Sequence, residues 1–312
     1  MYNMNIVIYG AGGVGGYFGA RLAQAGNNVT FIARGKHLEV ILKKGLQLKS
    51  YKGDYLVHPA KATSTISEVK DIDLVLICVK TWQLEEVAEN IKPILNEKTM
   101  IISLLNGVEN VDVLLKVISK RNILGGLCKV VSKLEDYGVI NHLSYEPTIV
   151  FGELDNVKSE RAIHLEKLFL NAGITTKLTS DIQREIWTKF LFITTISAIG
   201  ALTRATVGEM ISSPQIKEMM YKTALEILAV AKAKGVYLPN NILEKQFRLI
   251  ESQPFETTSS LQRDMMAGKP SELEAQNGAI VKMGKKLGIP TPINSFIYHC
   301  LLPQENKARG LN

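Results

Sequence analysis

The feature that most constrains this chain lies near its start. Gly10-Ala11-Gly12-Gly13-Val14-Gly15 separates a short apolar run, Asn5–Tyr9, from a stretch with apolar residues at helical spacing, Val14–Ala25. A G-x-G-x-x-G run between a strand and a helix has a specific physical logic. The first glycine permits a tight turn, and the second lets the backbone approach a pyrophosphate. The third lets the helix pack close to its strand, while the helix N-terminus supplies N–H groups and the positive end of its dipole. Gly26 closes the helix as a C-cap, and Asn28–Ala33 reads as the next strand. A glycine turn with no ligand can carry the same letters, but the complete strand–helix–strand unit points to a dinucleotide. Gly10, Ala11, Gly12, Gly13, Val14 and Gly15 are the expected cofactor contacts.

The alternation continues. Asp73–Val79 is a buried run of the central parallel type, and Met100–Ser103 and the stretch near Ile123–Leu124 extend the series. Strands alternating with helices predict a parallel sheet with right-handed crossovers. After about Asp181 the strand signals stop. Ile182–Ala201 reads as a long helix, and Ser213-Pro214 supplies an N-cap and a first-position proline for a helix running to Gly235. Ser271 and Glu274 have capping-box spacing and should open a helix ending near Gly288 and Pro290. The expectation is an α/β chain: an N-terminal Rossmann-type parallel-sheet domain over residues 1–181, then an all-helical substrate and dimerisation domain over 182–312.

Composition removes several function classes. The 312 residues suit two domains, and 46% apolar with 21% charged residues excludes a disordered or fibrous chain. The longest apolar stretch, Phe190 to Leu202, lies between Lys189 and Arg204 and is shorter than the ~20 residues of a spanning helix. The first residues carry no basic region before their apolar run, so no signal peptide is expected. Cys78, Cys128 and Cys300 lie far apart, with no disulfide framework. Together these features predict a reduced, soluble, cytoplasmic protein without a membrane partner.

Net charge is +7, and from Ile182 onward 16 Lys and Arg stand against 11 Asp and Glu. No basic cluster interleaves with aromatics, which argues against nucleic acid; a positive excess suits an anionic small molecule. The five histidines form no pair at ligand spacing and no Cys/His/Asp cluster occurs, so no metal is expected. No nucleophile elbow is recognisable.

The end of the second strand bears on which dinucleotide binds. An acid there holds the ribose 2′-hydroxyl of NAD, whereas an arginine accommodates the 2′-phosphate of NADP. This chain reads Ala33-Arg34-Gly35-Lys36, with no acid before Glu39. Arg34 could be a solvated loop residue, but it can also pair a phosphate through two parallel hydrogen bonds. NADP is the expected cofactor.

Val79-Lys80-Thr81-Trp82-Gln83, Leu104–Gly107 (L-L-N-G) and Trp187-Thr188-Lys189 give the chain a wider likeness, extended by Thr258–Asp264 (T-S-S-L-Q-R-D), Ser271–Glu274 and Asn277-Gly278. In that order it resembles the 2-dehydropantoate 2-reductases, or ketopantoate reductases, which reduce a branched 2-keto acid with NADPH on the way to pantothenate. The resemblance spans nearly the whole chain and implies a Rossmann domain followed by a helical one.

Each matched residue has a physical reading beside the one the resemblance implies. Lys80 ends a buried strand at the sheet edge where α/β folds bind ligands, or merely snorkels there; the resemblance puts it beside cofactor and substrate. Asn106 is a turn residue by position, and by resemblance touches the nicotinamide ribose and substrate. Lys189 is a charge inside an apolar helix, so it must be paired or face a cleft; the resemblance makes it the general acid. An ammonium suits that task, because it can stabilise and protonate the oxygen on which charge develops. Ser260 matches the position that binds the substrate carboxylate. Asp264, four residues on, either stabilises its helix or meets a cation in the site. Glu272 favours a helix dipole, and by resemblance is an active-site glutamate near the cofactor and Lys189. Glu274 fits the capping box. Ser132 falls near a cofactor contact in a loosely aligned stretch.

The likeness breaks on one helical face. Where the family commonly has asparagines hydrogen-bonding substrate, this chain has Ile193, Ser197 and, less securely aligned, Val207. The expected activity is therefore NADPH-dependent reduction of a 2-keto acid, 2-dehydropantoate first. A reductase of a more apolar 2-keto acid and a non-catalytic NADP-binding protein are the alternatives. A homodimer is compatible with the sequence.

Overall fold

Apolar alternation along the first half of the chain creates a sheet with two greasy faces. The computed structural model describes residues 3–311. Met1 and Tyr2, which begin the segment read for a signal peptide, and Asn312, the last residue of the expected helical domain, lie outside the described residues. Ten strands are described: β1 (Asn5–Tyr9), β2 (Asn28–Ile32), β3 (Leu46–Ser50), β4 (Tyr55–Val57), β5 (Lys61–Thr63), β6 (Leu74–Ile77), β7 (Met100–Ser103), β8 (Ile123–Asp136), β9 (Val139–Glu153) and β10 (Thr175–Leu178). They form one sheet in the order β4-β3-β9-β8-β7-β6-β1-β2-β5, with β10 also paired to β9.

Strands β6 and β7 are buried throughout, as a sheet covered on both faces requires. Ile6, Ile8, Leu74 and Leu76 join one apolar cluster, while Val7, Tyr9, Val75 and Ile77 join another. This period of two is the pleat itself, sending successive side chains to opposite faces.

The sheet is mainly parallel, as expected, with two antiparallel pairs added. Strands β2, β1, β6, β7 and the start of β8 are parallel neighbours, but β8 and β9 run antiparallel, as do β3 and β4. The reason is local. Only Tyr137 and Gly138 separate β8 from β9, Gly138 has φ +75°, and so short a connection can only reverse the chain.

By contacts the chain divides into two compact units. The sheet unit comprises residues up to Leu105 together with Asn110–Ile182; the helical unit comprises Asn106–Glu109 and Gln183 onward. The helical unit follows its sequence signals closely. Ile182–Thr203 is one helix of 22 residues. Ser213 caps the helix Pro214–Ala233, its hydroxyl accepting from Ile216 N at 3.4 Å. Gly288 ends the helix Ala279–Leu287 in the left-handed conformation, φ +69°.

Two expectations fail here. The helix Ile182–Thr203 is long and apolar enough to cross a membrane by length and composition, contrary to the shorter stretch counted from sequence. Yet 67% of its most apolar window is buried within the protein, as in a core helix. The capping box at Ser271 and Glu274 does not form. Ser271 Oγ accepts from Leu273 N at 3.2 Å and donates to Glu305 at 2.6 Å, while Glu274 turns instead to Tyr298 and Lys282. A π-helical turn, Glu274–Gly278, takes the place of the expected first turns.

Candidate active site

In the sheet unit, β1 lies between β6 and β2; the chain passes from β1 outward to β2 on one side, and returns after β5 to lay β6 on the other. Such a switch point, at the carboxyl ends of parallel strands, is where α/β sheets open a crevice. The glycine loop occupies it. Gly10 has φ +102°, and a Cβ there would lie 2.9 Å from the Cys78 carbonyl oxygen. A Cβ on Gly15 would lie 2.0 Å from Gly10 O, so the third glycine is required for helix Gly13–Gln24 to approach β1. A Cβ on Gly12 would meet nothing within 4 Å, and no side chain caps the helix whose N-cap it is. The first-turn N–H groups are thus presented by bare backbone, which is what an anion needs.

Ser132 comes to the same place. A Cβ on Gly13 would lie 2.5 Å from Ser132 O, and the β8–β9 register shifts on both sides of Val131, next to Ser132; bulges commonly re-aim residues at such sites. The Ser132 hydroxyl is buried with no hydrogen-bond partner. An unpaired buried hydroxyl beside an uncapped helix start, with an open cradle at Gly12, fits a pyrophosphate group.

Sequence reasoning missed His37. Its Nδ1 accepts from Gly138 N at 2.9 Å, and its Nε2 lies 2.8 Å from Ala11 O. Since a carbonyl can only accept, Nε2 carries the proton and the imidazole is neutral. His37 therefore ties the glycine loop to the turn of the β8–β9 hairpin. A histidine three residues past Arg34 carries no motif, so only the fold reveals this.

Two cations mark the strand ends beside β1. Arg34, just after β2, forms an ion pair with Glu86 at 2.9 Å, both side chains more than half exposed. That hydrogen bond and charge raise the guanidinium's already high pKa. Lys80, past the end of β6, is partly buried with its Nζ 5.9 Å from the centre of the Trp82 ring, a cation–π contact. Burial first, and then neighbouring Cys128, push the Cys78 thiol well above its usual range.

The helical unit assembles side chains instead. Asn106 belongs to it, and its Nδ2 donates to Glu272 Oε2 at 2.8 Å across 166 residues of sequence. Glu272 is buried, only 6% exposed. It follows a tightly held residue: Ser271 N donates to both Glu305 oxygens at 3.0 and 3.1 Å. Arg309 binds Glu305 at 2.6 Å and Ser271 O at 2.8 Å. After Glu272 comes the π turn, a distortion frequent at functional sites. Glu305 and Arg309 were not singled out from sequence, because i and i+4 opposite charges on a final helix look like solvent pairs.

Glu274 faces other partners. Burial pushes its carboxyl pKa up, but hydrogen bonds from Lys282 and Tyr298 outweigh this and hold it below the usual range.

Lys189 is partly buried on the helix Ile182–Thr203, beside Trp187 and Phe190, whose rings meet edge-on at 5.6 Å. Ile193 lies one turn further and is partly buried, while Ser197, another turn on, is fully buried with an unpartnered hydroxyl. Val207 is 1% exposed and packs in the core, at the start of a helix capped by Thr206 and Glu209. Ser260 is the partly buried first residue of the helix Ser260–Met266; the capping is done by Ser259, whose Oγ accepts from Gln262 N at 3.1 Å.

A Rossmann-type sheet with an uncapped glycine loop, followed by a helical unit carrying lysine, glutamate, asparagine and serine, defines a dinucleotide-dependent oxidoreductase. Comparison with known proteins gives the family. The family described as Ketopantoate reductase PanE/ApbA matches residues 6–156, and Ketopantoate reductase PanE/ApbA C terminal matches residues 181–305. The chain belongs to the ketopantoate reductase family and is an NAD(P)-dependent oxidoreductase acting on a small keto acid.

Among its relatives, the 2-dehydropantoate 2-reductase of Archaeoglobus fulgidus is 33% identical over 289 residues, covering 93% of this chain and 94% of that protein. The uncharacterized oxidoreductase YkpB of Bacillus subtilis is 32% identical over 295 residues, covering 95% and 97%. The crystal structure of a PanE/ApbA family ketopantoate reductase from Ralstonia eutropha JMP134 superposes with a TM-score of 0.89 at 30% identity, covering 98% of this chain and 99% of that one.

Proposed function

We propose that the protein reduces 2-dehydropantoate to pantoate with NADPH, in the cytoplasm. The observation that carries this reading is the Asn106–Glu272 hydrogen bond. It joins two residues matched independently to the family's active site and buries a carboxylate that would otherwise be costly. The glycine loop, Ser132 and Arg34 would hold the dinucleotide, with Lys80 and Asn106 toward its nicotinamide end. Bound NADPH supplies the hydride that reaches the keto carbon.

The residues of the chain do the rest. Lys189, a point charge whose ammonium can both stabilise and donate, protonates the oxygen on which negative charge develops. Ser260 and Asn106 hold substrate by its carboxylate and carbonyl ends. Glu272, oriented by Asn106 and by the anchored Ser271, supports the lysine.

A second reading, a more apolar 2-keto acid as substrate, is favoured by Ile193 and Ser197. Ile193 offers no hydrogen bond, and the Ser197 hydroxyl is wholly buried. A pocket rejects a substrate lacking a hydroxyl strongly only when built to bind that hydroxyl. The test is kcat/KM for ketopantoate against ketoisovalerate, measured by NADPH oxidation in the unmodified protein and in Ile193→Asn. A narrow ratio that widens towards ketopantoate in the variant is expected. A strong native preference for ketopantoate, unchanged by the substitution, would establish the first substrate and show that its hydroxyl is held elsewhere. No turnover of any 2-keto acid would overturn both.

A further inference from the structure

The Arg34–Glu86 ion pair stands at a telling place. Arg34 leaves the end of β2, and Glu86 lies in the first turn of the helix Leu84–Ile91 that follows β6. Those are the two neighbours of β1. The pair thus links the segments that leave the strands on either side of the glycine loop. It does so at the residue expected to select between cofactors. Its neighbour Glu85 is engaged differently, by Lys116 at 2.7 Å.

We infer that Glu86 is a specificity-determining residue for the cofactor, working against Arg34. This deepens the assignment of Arg34 to the 2′ position and rests on it. A 2′-phosphate brings close to two negative charges to a guanidinium that already has a carboxylate partner at 2.9 Å. It must either displace Glu86, breaking that ion pair, or sit beside it against a like charge, and both arrangements are disfavoured. A 2′-hydroxyl meets no such opposition, and can itself donate to the carboxylate. Arg34 alone would give a steep preference for NADPH; with Glu86 present the preference is flattened. Both side chains are exposed, 58% and 56%, so the effect is moderate and screened by salt.

The test is the dissociation constants of NADPH and NADH, by calorimetric titration, for the unmodified protein, Glu86→Gln and Glu85→Gln. Glu86→Gln should tighten NADPH by about two- to fivefold relative to NADH at low ionic strength, shrinking as salt rises. Glu85→Gln, committed to Lys116, should shift the ratio less than about twofold. An unchanged ratio in Glu86→Gln, an equal change for both cofactors, or an equal shift in Glu85→Gln would overturn the inference. A native preference for NADH would defeat the NADPH assignment while leaving the role of Glu86 intact, provided the variant still moves toward NADPH.

Discussion

The glycine loop of the sheet unit and the Ser271–Gly278 segment of the helical unit both fix polar groups in place, with opposite materials. The loop works through main chain and through the absence of side chains. Gly12 is open and Gly15 allows a contact that any Cβ would block at 2.0 Å. The helical segment works through side chains that lock one another: Glu305 and Arg309 grip Ser271, and Asn106 grips Glu272. A site made of backbone depends on few residue identities and binds a group common to many reactions. A site made of mutually supporting side chains depends on residues scattered through the chain, and can be tuned to one.

The largest effect that would sharpen this contrast is a separation of binding from chemistry. Lys189→Ala should lower kcat by about 10²–10⁴, the usual contribution of a positioned proton donor, while leaving the dissociation constant of NADPH nearly unchanged. Rapid-mixing and titration measurements check the two parts. A normal kcat would show that another group protonates the oxygen.

Next comes the support beneath Glu272. Glu305 is 3% exposed, and Glu305→Ala would strand the Ser271 N–H and hydroxyl together with Arg309. Removing one partner of a buried charged pair costs about 3–5 kcal/mol, with the lower end expected because Arg309 can swing into water. Urea unfolding measures the loss. A change below about 1 kcal/mol, the worth of an ordinary hydrogen bond, would mean the network does not carry the segment.

The smallest effect tests a side chain that the loop borrows. His37→Ala removes two hydrogen bonds, worth about 1 kcal/mol each, and should weaken dinucleotide binding about five- to thirtyfold. His37→Gln should restore most of it, since an amide, like the neutral imidazole, presents both a donor and an acceptor. Equal weakening in both variants would show that His37 matters for packing rather than as a latch.

Much of the architecture is legible from local signals. Strands β1 and β7 coincide with the apolar runs Asn5–Tyr9 and Met100–Ser103, and Ser213-Pro214 opens its helix as capping rules require. Strand β9 was not legible. Its middle, Leu143–Glu146, is exposed, Tyr145 has φ +71° and Pro147 follows, so no alternation survives to be read. The supposed capping box misled because Ser271 and Glu274 each found a stronger partner far along the chain, Glu305 and Tyr298. Cap motifs predict only what a helix would do without tertiary competition.

By itself the sequence marked out the glycine loop between a strand and a helix, the order of sheet and helices, and the residues Lys189, Asn106, Ser260 and Glu272 as candidates. Each rests on local geometry or on an ordered series of motifs, which chain proximity preserves. Only the tertiary structure decided that Asn106 holds Glu272, that Ser132 backs Gly13, that His37 is neutral and bridges two turns, and that Arg34 already has a carboxylate partner. Those facts depend on distances between residues tens to hundreds of positions apart, set by how strands pair and helices pack, and no local spacing encodes them.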